Sequence, residues 1–333
     1  MYFSIPAHLQ KQLQASGAQL EAPADAADKR NKYYAQALER AKQIELFNPD
    51  AIGTLSSHAT SDTVLKSSGD VADILEATND SSLCFKIQAA PYIPANQRDG
   101  NSTYFTIPRE RLIAAQERLN EITTALGTPH CHLVLEDIPQ IAAGSNNFWG
   151  RSEMTVSAHT LATLSQDELS ALMAHEVGHL KRQHTQETLE YYASLPTAHT
   201  PEEKRYIDTM VRAMRRGNEF EADATAIELG YGRAAETQLL RSAAQIFAYH
   251  DSVAAGIDYD LKLNINSNHP STIQRAARIT ALNDTRDEAQ EKHKDTLKLE
   301  NPDVYLPDNA PAALPGTKAL DRRAKVLGGV PPR

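Results

Sequence analysis

The stretch that most limits what this chain can become is Ala174-His175-Glu176-Val177-Gly178-His179-Leu180, set in a long segment of helical periodicity. On an α-helix, residues four apart project from one face about 6 Å apart along the axis, so His175 and His179 can converge on one ion with Glu176 beside them. That is the arrangement of a zinc hydrolase. A pattern this short also arises by chance, so the rest of the chain has to supply the remainder of a site.

The surrounding segments carry clear local signals. Ser165 and Glu168 form a capping box at the start of the motif helix, which the pattern extends to about residue 194, before Pro196. Thr200, Pro201 and Glu203 start a second long helix in the same way, ending near Gly230. A third helix is expected over 234–250, and a fourth follows Asn268-His269-Pro270, with Ser271 and Gln274 matching a capping box. Upstream, Thr106-Ile107-Pro108 reads as a helix start, with Leu112, Ala115, Leu119, Ile122 and Leu126 as its buried stripe and Gly127 as its stop. Short strands are expected over 84–89, 132–135 and 153–158. Residues 54–68, rich in Ser and Thr, read as a loop, as do Gly144-Ser145-Asn146-Asn147. Residues 29–47 read as a helix and 92–103 as a linker.

Two histidines leave a catalytic zinc short of the three protein ligands it usually takes. A third histidine six residues beyond the motif is absent, since Arg182 and Thr185 stand where the glycine and histidine of that longer motif would lie. The second helix offers Asn218-Glu219-Phe220-Glu221-Ala222-Asp223 instead, with Glu219 and Asp223 on one face. Glu219 can ligate the ion, and Asp223 can accept the other ring N–H of a ligand histidine and so fix its tautomer. Read singly, both acids are more ordinary as a solvated helix face; the first motif gives them meaning.

In order and spacing, the first motif followed by Arg182 and His184, then Glu219-Phe220-Glu221-Ala222-Asp223, then His269-Pro270 with Arg275, resembles the CAAX prenyl protease and HtpX family of zinc endopeptidases, which are gluzincins. The resemblance covers about residues 106–283. It implies a predominantly helical α+β fold with a small mixed sheet beside two zinc-binding helices. It further implies one Zn2+ held by His175, His179 and Glu219, with Glu176 as general base and a protein or peptide as substrate. His269, placed near the site by the resemblance, is the candidate second donor to the developing oxyanion. Many relatives are membrane proteins, and the family's usual Asn-Ala-Phe-Ala stretch is replaced here by Ala142-Ala143-Gly144-Ser145-Asn146-Asn147, so prenylated substrates are not carried over. A substrate strand is expected to add along an exposed edge at residues 153–158.

Other groups have plainer readings. His184, five residues from His179, falls on a different face of a continuous helix and reads as capping or packing. His130 and His132 share a face opposite Cys131 on a strand, Arg275 reads as a salt-bridge or packing residue, and Trp149 as packing. The ligand types also suit cobalt or manganese. A competing class is a binding or chaperone-like protein in which the zinc is structural.

Composition excludes some partners. A net charge of −9 without a basic run argues against nucleic acid. Two cysteines, Cys84 and Cys131, make no disulfide framework, so a reducing compartment is the default. No stretch approaches 18 apolar residues and residues 1–24 lack a signal-peptide core, so a soluble, cytoplasmic protein is expected. Residues 1–101 carry no chemical signal and could cover the cleft of a latent enzyme. Residues 284–333 read as a solvated helix followed by a Pro-rich tail.

Overall fold

Apolar residues at helical spacing build the frame around the motif. Helix α3 (Arg109–Leu126) buries Leu112, Ala115, Leu119 and Ile122, and Gly127 ends it in the left-handed conformation at φ 65°. Its start lies later than the sequence suggests. Thr106-Ile107-Pro108 close strand β5 (Thr103–Pro108), because a residue before proline is held extended and Ile107 is buried. In this computed structural model the described residues are 24–46, 54–56, 64–65, 69–78, 80–87, 103–136, 141–148, 151–195, 197–250, 254–257, 260 and 269–300. The expected linker at 92–103, apart from Thr103, and Trp149 and the Pro-rich tail fall outside them. Compact units comprise residues 1–284 and 285–333, and every candidate site residue belongs to the first.

The strands make two four-stranded mixed sheets. One joins β1 (Thr54–Ser56), β5, β4 (Ser82–Ile87) and β2 (Val64–Leu65) in that order. Residues 54–68 therefore contain strands as well as loop: backbone pairing to β5 and β4 overrides their Ser/Thr composition. The other sheet has the order β3 (Gly69–Asp70), β6 (Cys131–Glu136), β8 (Arg151–Ser157), β7 (Ala143–Phe148). Strands β6 and β8 are parallel, with Leu133 opposite Met154 and Leu135 opposite Val156, all buried. Two sequence expectations change here. The Gly144–Asn147 stretch is part of a strand, and residues 153–157 lie in the sheet interior. The outer strand is β7, which among the described residues pairs only with β8. Polar side chains suit an edge, where only one flank is paired.

The amino-terminal region shares this core. Ala37 and Ala41 of α1 (Ala24–Gln43), Val71 and Ile74 of α2 (Val71–Ala77), and Leu83 and Phe85 of β4 join one hydrophobic cluster with Met173 and Ala174 of the motif helix. Arg40 of α1 pairs with the buried Glu236 of α8 (Gly232–Tyr249).

The motif helix α5 (Gln166–Arg182) follows the short α4 (Ala158–Thr163) and begins with the expected capping box: Glu168 N–H donates to Ser165 Oγ at 3.1 Å, and Ser165 N–H to Glu168 Oε2 at 2.8 Å. Such a cap contributes about 1 kcal/mol. Arg111, fully buried, secures the approach by donating to the carbonyls of Leu161 at 3.2 Å and Leu164 at 2.8 Å. The helix does not run on to residue 194. Gln183 takes φ 56°, its N–H closes onto the carbonyls of His179 and Leu180, and α6 (His184–Ser194) starts in a new direction. The second long helix, α7 (Pro201–Glu228), carries the Thr200–Glu203 capping box, and α9 (Thr272–Glu300) begins beyond His269-Pro270 and continues through the polar residues after Asn283.

Candidate metal centre

Helices α5 and α7 cross at Gly178. A Cβ there would stand 3.1 Å from Thr225 and 3.2 Å from the Ala222 backbone, so the absence of a side chain lets the two helices approach closely. That approach brings together what the sequence separates by forty residues. His175 Nε2 lies 3.1 Å from His179 Nε2 and 3.4 Å from Glu219 Oε2, and His179 Nε2 lies 3.6 Å from Glu219 Oε1. Ligands bound tetrahedrally at about 2.0–2.1 Å stand about 3.3–3.4 Å from one another. Each imidazole thus has one oxygen of the Glu219 carboxylate near that spacing, the three donors lie within 4.8 Å of one another, and the two-imidazole, one-carboxylate chemistry fits zinc.

The partners behind the donors set their protonation. Asp223 Oδ1 lies 2.9 Å from His175 Nδ1, leaving Nε2 directed at the other two donors. Burial and Arg275 oppose a charge on His175, but its hydrogen bonds to Asp223 and Glu219 outweigh them and hold its pKa up at about 9. An imidazolium and a divalent cation answer the same need there, positive charge between two carboxylates. Burial, with His175 alongside, pushes His179 down to about 3, which keeps the lone pair a ligand requires. Burial resists ionisation of Glu219, yet Arg275 at 3.1 Å and contacts to His175 and His269 hold it well below the usual carboxylate range. Asp223, also buried, is held down to about 2, chiefly by Arg275, whose Nη2 and Nε donate to it at 2.6 and 3.0 Å. Burial pushes the Glu176 carboxyl up, with Glu219 adding to the effect against His175 and Arg275.

Residues 113–283, just over half of the chain, match peptidase family M48. The chain belongs to peptidase family M48. As an M48 member it is a hydrolase of the zinc metallopeptidase class. Among solved structures, the crystal structure of S. mikatae Ste24p is similar over 50% of this chain at 13% identity, with a TM-score of 0.35. The chain spans about half the length of that protein, 49%. No match was found among curated proteins. No helix among the described residues is long and apolar enough to cross a membrane.

The candidate centre gathers His175, Glu176, His179, Glu219 and Asp223 in one place, and His269 joins them, its Nδ1 3.1 Å from Glu219 Oε1 and its side chain 65% exposed. His175, His179 and Glu219 are the only described group of three potential metal donors close enough to share an ion. His130 and His132 stand apart from it, their rings edge to face and His132 Nδ1 3.1 Å from Asp70. His184 is not on the far face. The turn at Gln183 brings its Nδ1 to 2.8 Å from His179 Nδ1, against the side of the ring away from the other donors. Arg275 pairs with both acids, as its reading as a salt-bridge residue suggested. Sequence reasoning missed Ser145, whose hydroxyl donates to the Glu176 carbonyl at 2.9 Å and ties β7 to the motif helix. Nothing local marks that contact, because it depends on Gly144–Asn147 being a strand.

Proposed function

We propose that this M48 peptidase is a gluzincin-type endopeptidase that cuts protein substrates, with zinc held by His175, His179 and Glu219 and with Glu176 as the general base. The observation that carries the reading is the convergence of three donors within 4.8 Å of one another, His175 Nε2, His179 Nε2 and a Glu219 carboxylate oxygen, with Glu176 on the adjoining helical position and Asp223 behind His175. Three protein donors leave a tetrahedral ion one position for water or substrate, which favours a catalytic over a structural site.

When bound, zinc supplies Lewis acidity, lowering the pKa of water from 15.7 to about 7 and polarising the scissile carbonyl. The chain's own residues do the rest. Glu176 accepts a proton from the attacking water and delivers it to the nitrogen of the departing amine; its raised pKa suits both halves of that exchange near neutrality. Asp223 holds His175 in the Nδ1–H tautomer, and His269, exposed at the mouth, donates to the oxyanion as it forms. Substrate adds as a further strand along β7, whose outer edge lies beside the motif helix and takes over the role first expected of residues 153–158.

The test is metal analysis joined to a cleavage screen on unfolded protein, comparing wild type with Glu176→Gln. The variant is expected to keep its fold and one zinc per chain while losing about 100- to 10,000-fold in cleavage rate. Cleavage at the wild-type rate would refute the assigned base.

A further inference from the structure

Beside the three donors lies a cavity of about 210 Å³, with His179, His184, Thr188 and Leu189 on one wall and Arg215 and Glu219 on the other. It is smaller than the roughly 300–1,000 Å³ of a pocket for a drug-sized ligand, and suits one side chain. His179 and Glu219 belong both to the cavity and to the donor trio, so whatever fills the cavity is attached next to the bond being cut.

The charge on its wall is distinctive. Arg215 stands one helical turn before Glu219, and the four-residue spacing puts both on the same face of α7. Among the described residues its guanidinium has no ion pair. Its partner is the ring of Tyr192, with the centroid 6.0 Å away, at the outer limit of a cation–π contact. Neighbouring arginines are differently placed: Arg182 pairs with Glu221, and Arg275 with Asp223 and Glu219. The one carboxylate in the cavity wall, Glu219, is already engaged by Arg275 and His269, each at 3.1 Å. Arg215 is therefore a planar, permanently charged donor, weakly held, facing a space that opens onto the reacting bond. A carboxylate is the group such a fork binds bidentately, with charge-assisted hydrogen bonds stronger than the contact to Tyr192 that it would replace.

We propose that this cavity is a substrate subsite in which Arg215 binds the carboxylate of the residue adjoining the scissile bond. Two sources present that chemistry, an acidic side chain or a free carboxyl terminus. The inference rests on the endopeptidase reading above.

The experiment uses the full zinc-loaded chain and internally quenched peptides carrying Asp, Glu, Asn, Gln or Lys at each position flanking the cleaved bond. Each peptide is prepared with free and amidated carboxyl termini. On one side of the bond, wild type is expected to favour the acid over its amide isostere by about tenfold to a hundredfold in kcat/KM. If amidating the terminus slows cleavage that many fold while the side-chain amides do not, the terminal carboxylate is the ligand; if the side-chain amides slow it and amidating the terminus does not, the side chain is. Arg215→Glu is expected to invert the order in favour of Lys, and Arg215→Gln to level it. The wild-type profile alone decides against the subsite if neither the side-chain amide nor the amidated terminus slows cleavage, and so does a preference for either carboxylate that survives Arg215→Glu. Those results leave the peptidase reading standing. A screen with no cleavage dependent on zinc and on Glu176 removes that reading, and the subsite with it.

Discussion

The tight contact of α5 with α7 makes Gly178 a sensitive test of how the centre is held. An alanine there would place its Cβ 3.1 Å from both Cβ and Oγ1 of Thr225 and 3.2 Å from Ala222 Cα, against an ordinary contact of 3.4–4 Å. The neighbours must yield a few tenths of an ångström, and Ala222 Cα is backbone, so α7 itself has to move. Ala222 sits between Glu219 and Asp223, and all three are buried. Overpacking of this kind costs about 1–3 kcal/mol. Replacing a mid-helix glycine by alanine returns about 1 kcal/mol of helix propensity. Gly178→Ala should thus lower the stability of the chelated protein by roughly 0–2 kcal/mol. Zinc binding demands ligand distances within about 0.2 Å of their norm, so the helix displacement that relieves the clash in the chelated protein has to be reversed on binding, at a further cost of the same order, about 1–3 kcal/mol. That corresponds to about 5- to 150-fold weaker zinc affinity. Gly217 on α7 is the control, because a Cβ there meets nothing within 4 Å. Gly217→Ala should stabilise by about 0.5–1 kcal/mol and leave zinc affinity alone. Competition with a zinc chelator of known affinity, together with urea unfolding of the chelated proteins, reads both quantities. Equal zinc affinity in the two variants would refute the idea that this crossing sets the ligand geometry.

Two further outcomes follow from the charges. Arg275→Met leaves Glu219 and Asp223 buried without their guanidinium, which costs about 3–5 kcal/mol where nothing replaces it; because zinc offers compensating charge, the loss of stability should be larger in chelator than in zinc, and equal losses would argue against metal at this position. His159 is 1% exposed and burial pushes its pKa down to about 3, so the unfolded chain binds its proton first and stability falls as pH drops below about 6.5. Between pH 6.5 and 5 that residue should account for about 2 kcal/mol, and His159→Gln should flatten the urea-unfolding profile of the chelated protein by that amount; an unchanged slope would exclude it.

What was legible in the sequence is what depends on neighbours along the chain. The Ser165–Glu168 and Thr200–Glu203 caps, the stop at Gly127, and the pairs His175/His179 and Glu219/Asp223 all rest on spacings of three or four residues within one helix. What stayed hidden depends on distant partners. Gly144-Ser145-Asn146-Asn147 has the composition of a turn and becomes a strand because β8 pairs with it. Residues 153–157 looked like an edge until β6 and β7 took its two sides. The break at Gln183 carries no glycine or asparagine to announce it, and without it His184 falls on the wrong face. Arg215 lies between these cases: its spacing from Glu219 is visible in the sequence, but its lack of an ion pair is not.

Buried arginines connect these elements, and their placement bears on how the centre is prepared for its ion. Arg111 fixes the carbonyls of the turn entering α5, and Arg241 of α8 binds the Glu168 carboxylate of the capping box through Nε and Nη2, each at 3.0 Å. Arg275 joins α9 to Glu219 and Asp223 on α7 and, through Asp223, to His175. Burying an ion costs several kcal/mol before its contacts offset it, so such pairs are a poor source of stability and a good means of fixing position. At the centre itself, Glu219 and Asp223, both held ionised, leave with Arg275 a formal charge of −1, which a proton on His175, whose pKa is held up at about 9, balances. Losing that proton and ionising Glu176, which burial opposes, bring the charge to −2, which a divalent cation balances. The residues therefore hold the donor trio in place, and a divalent cation there takes over the part of the His175 proton and favours ionised Glu176, which gives metal binding its favourable electrostatics.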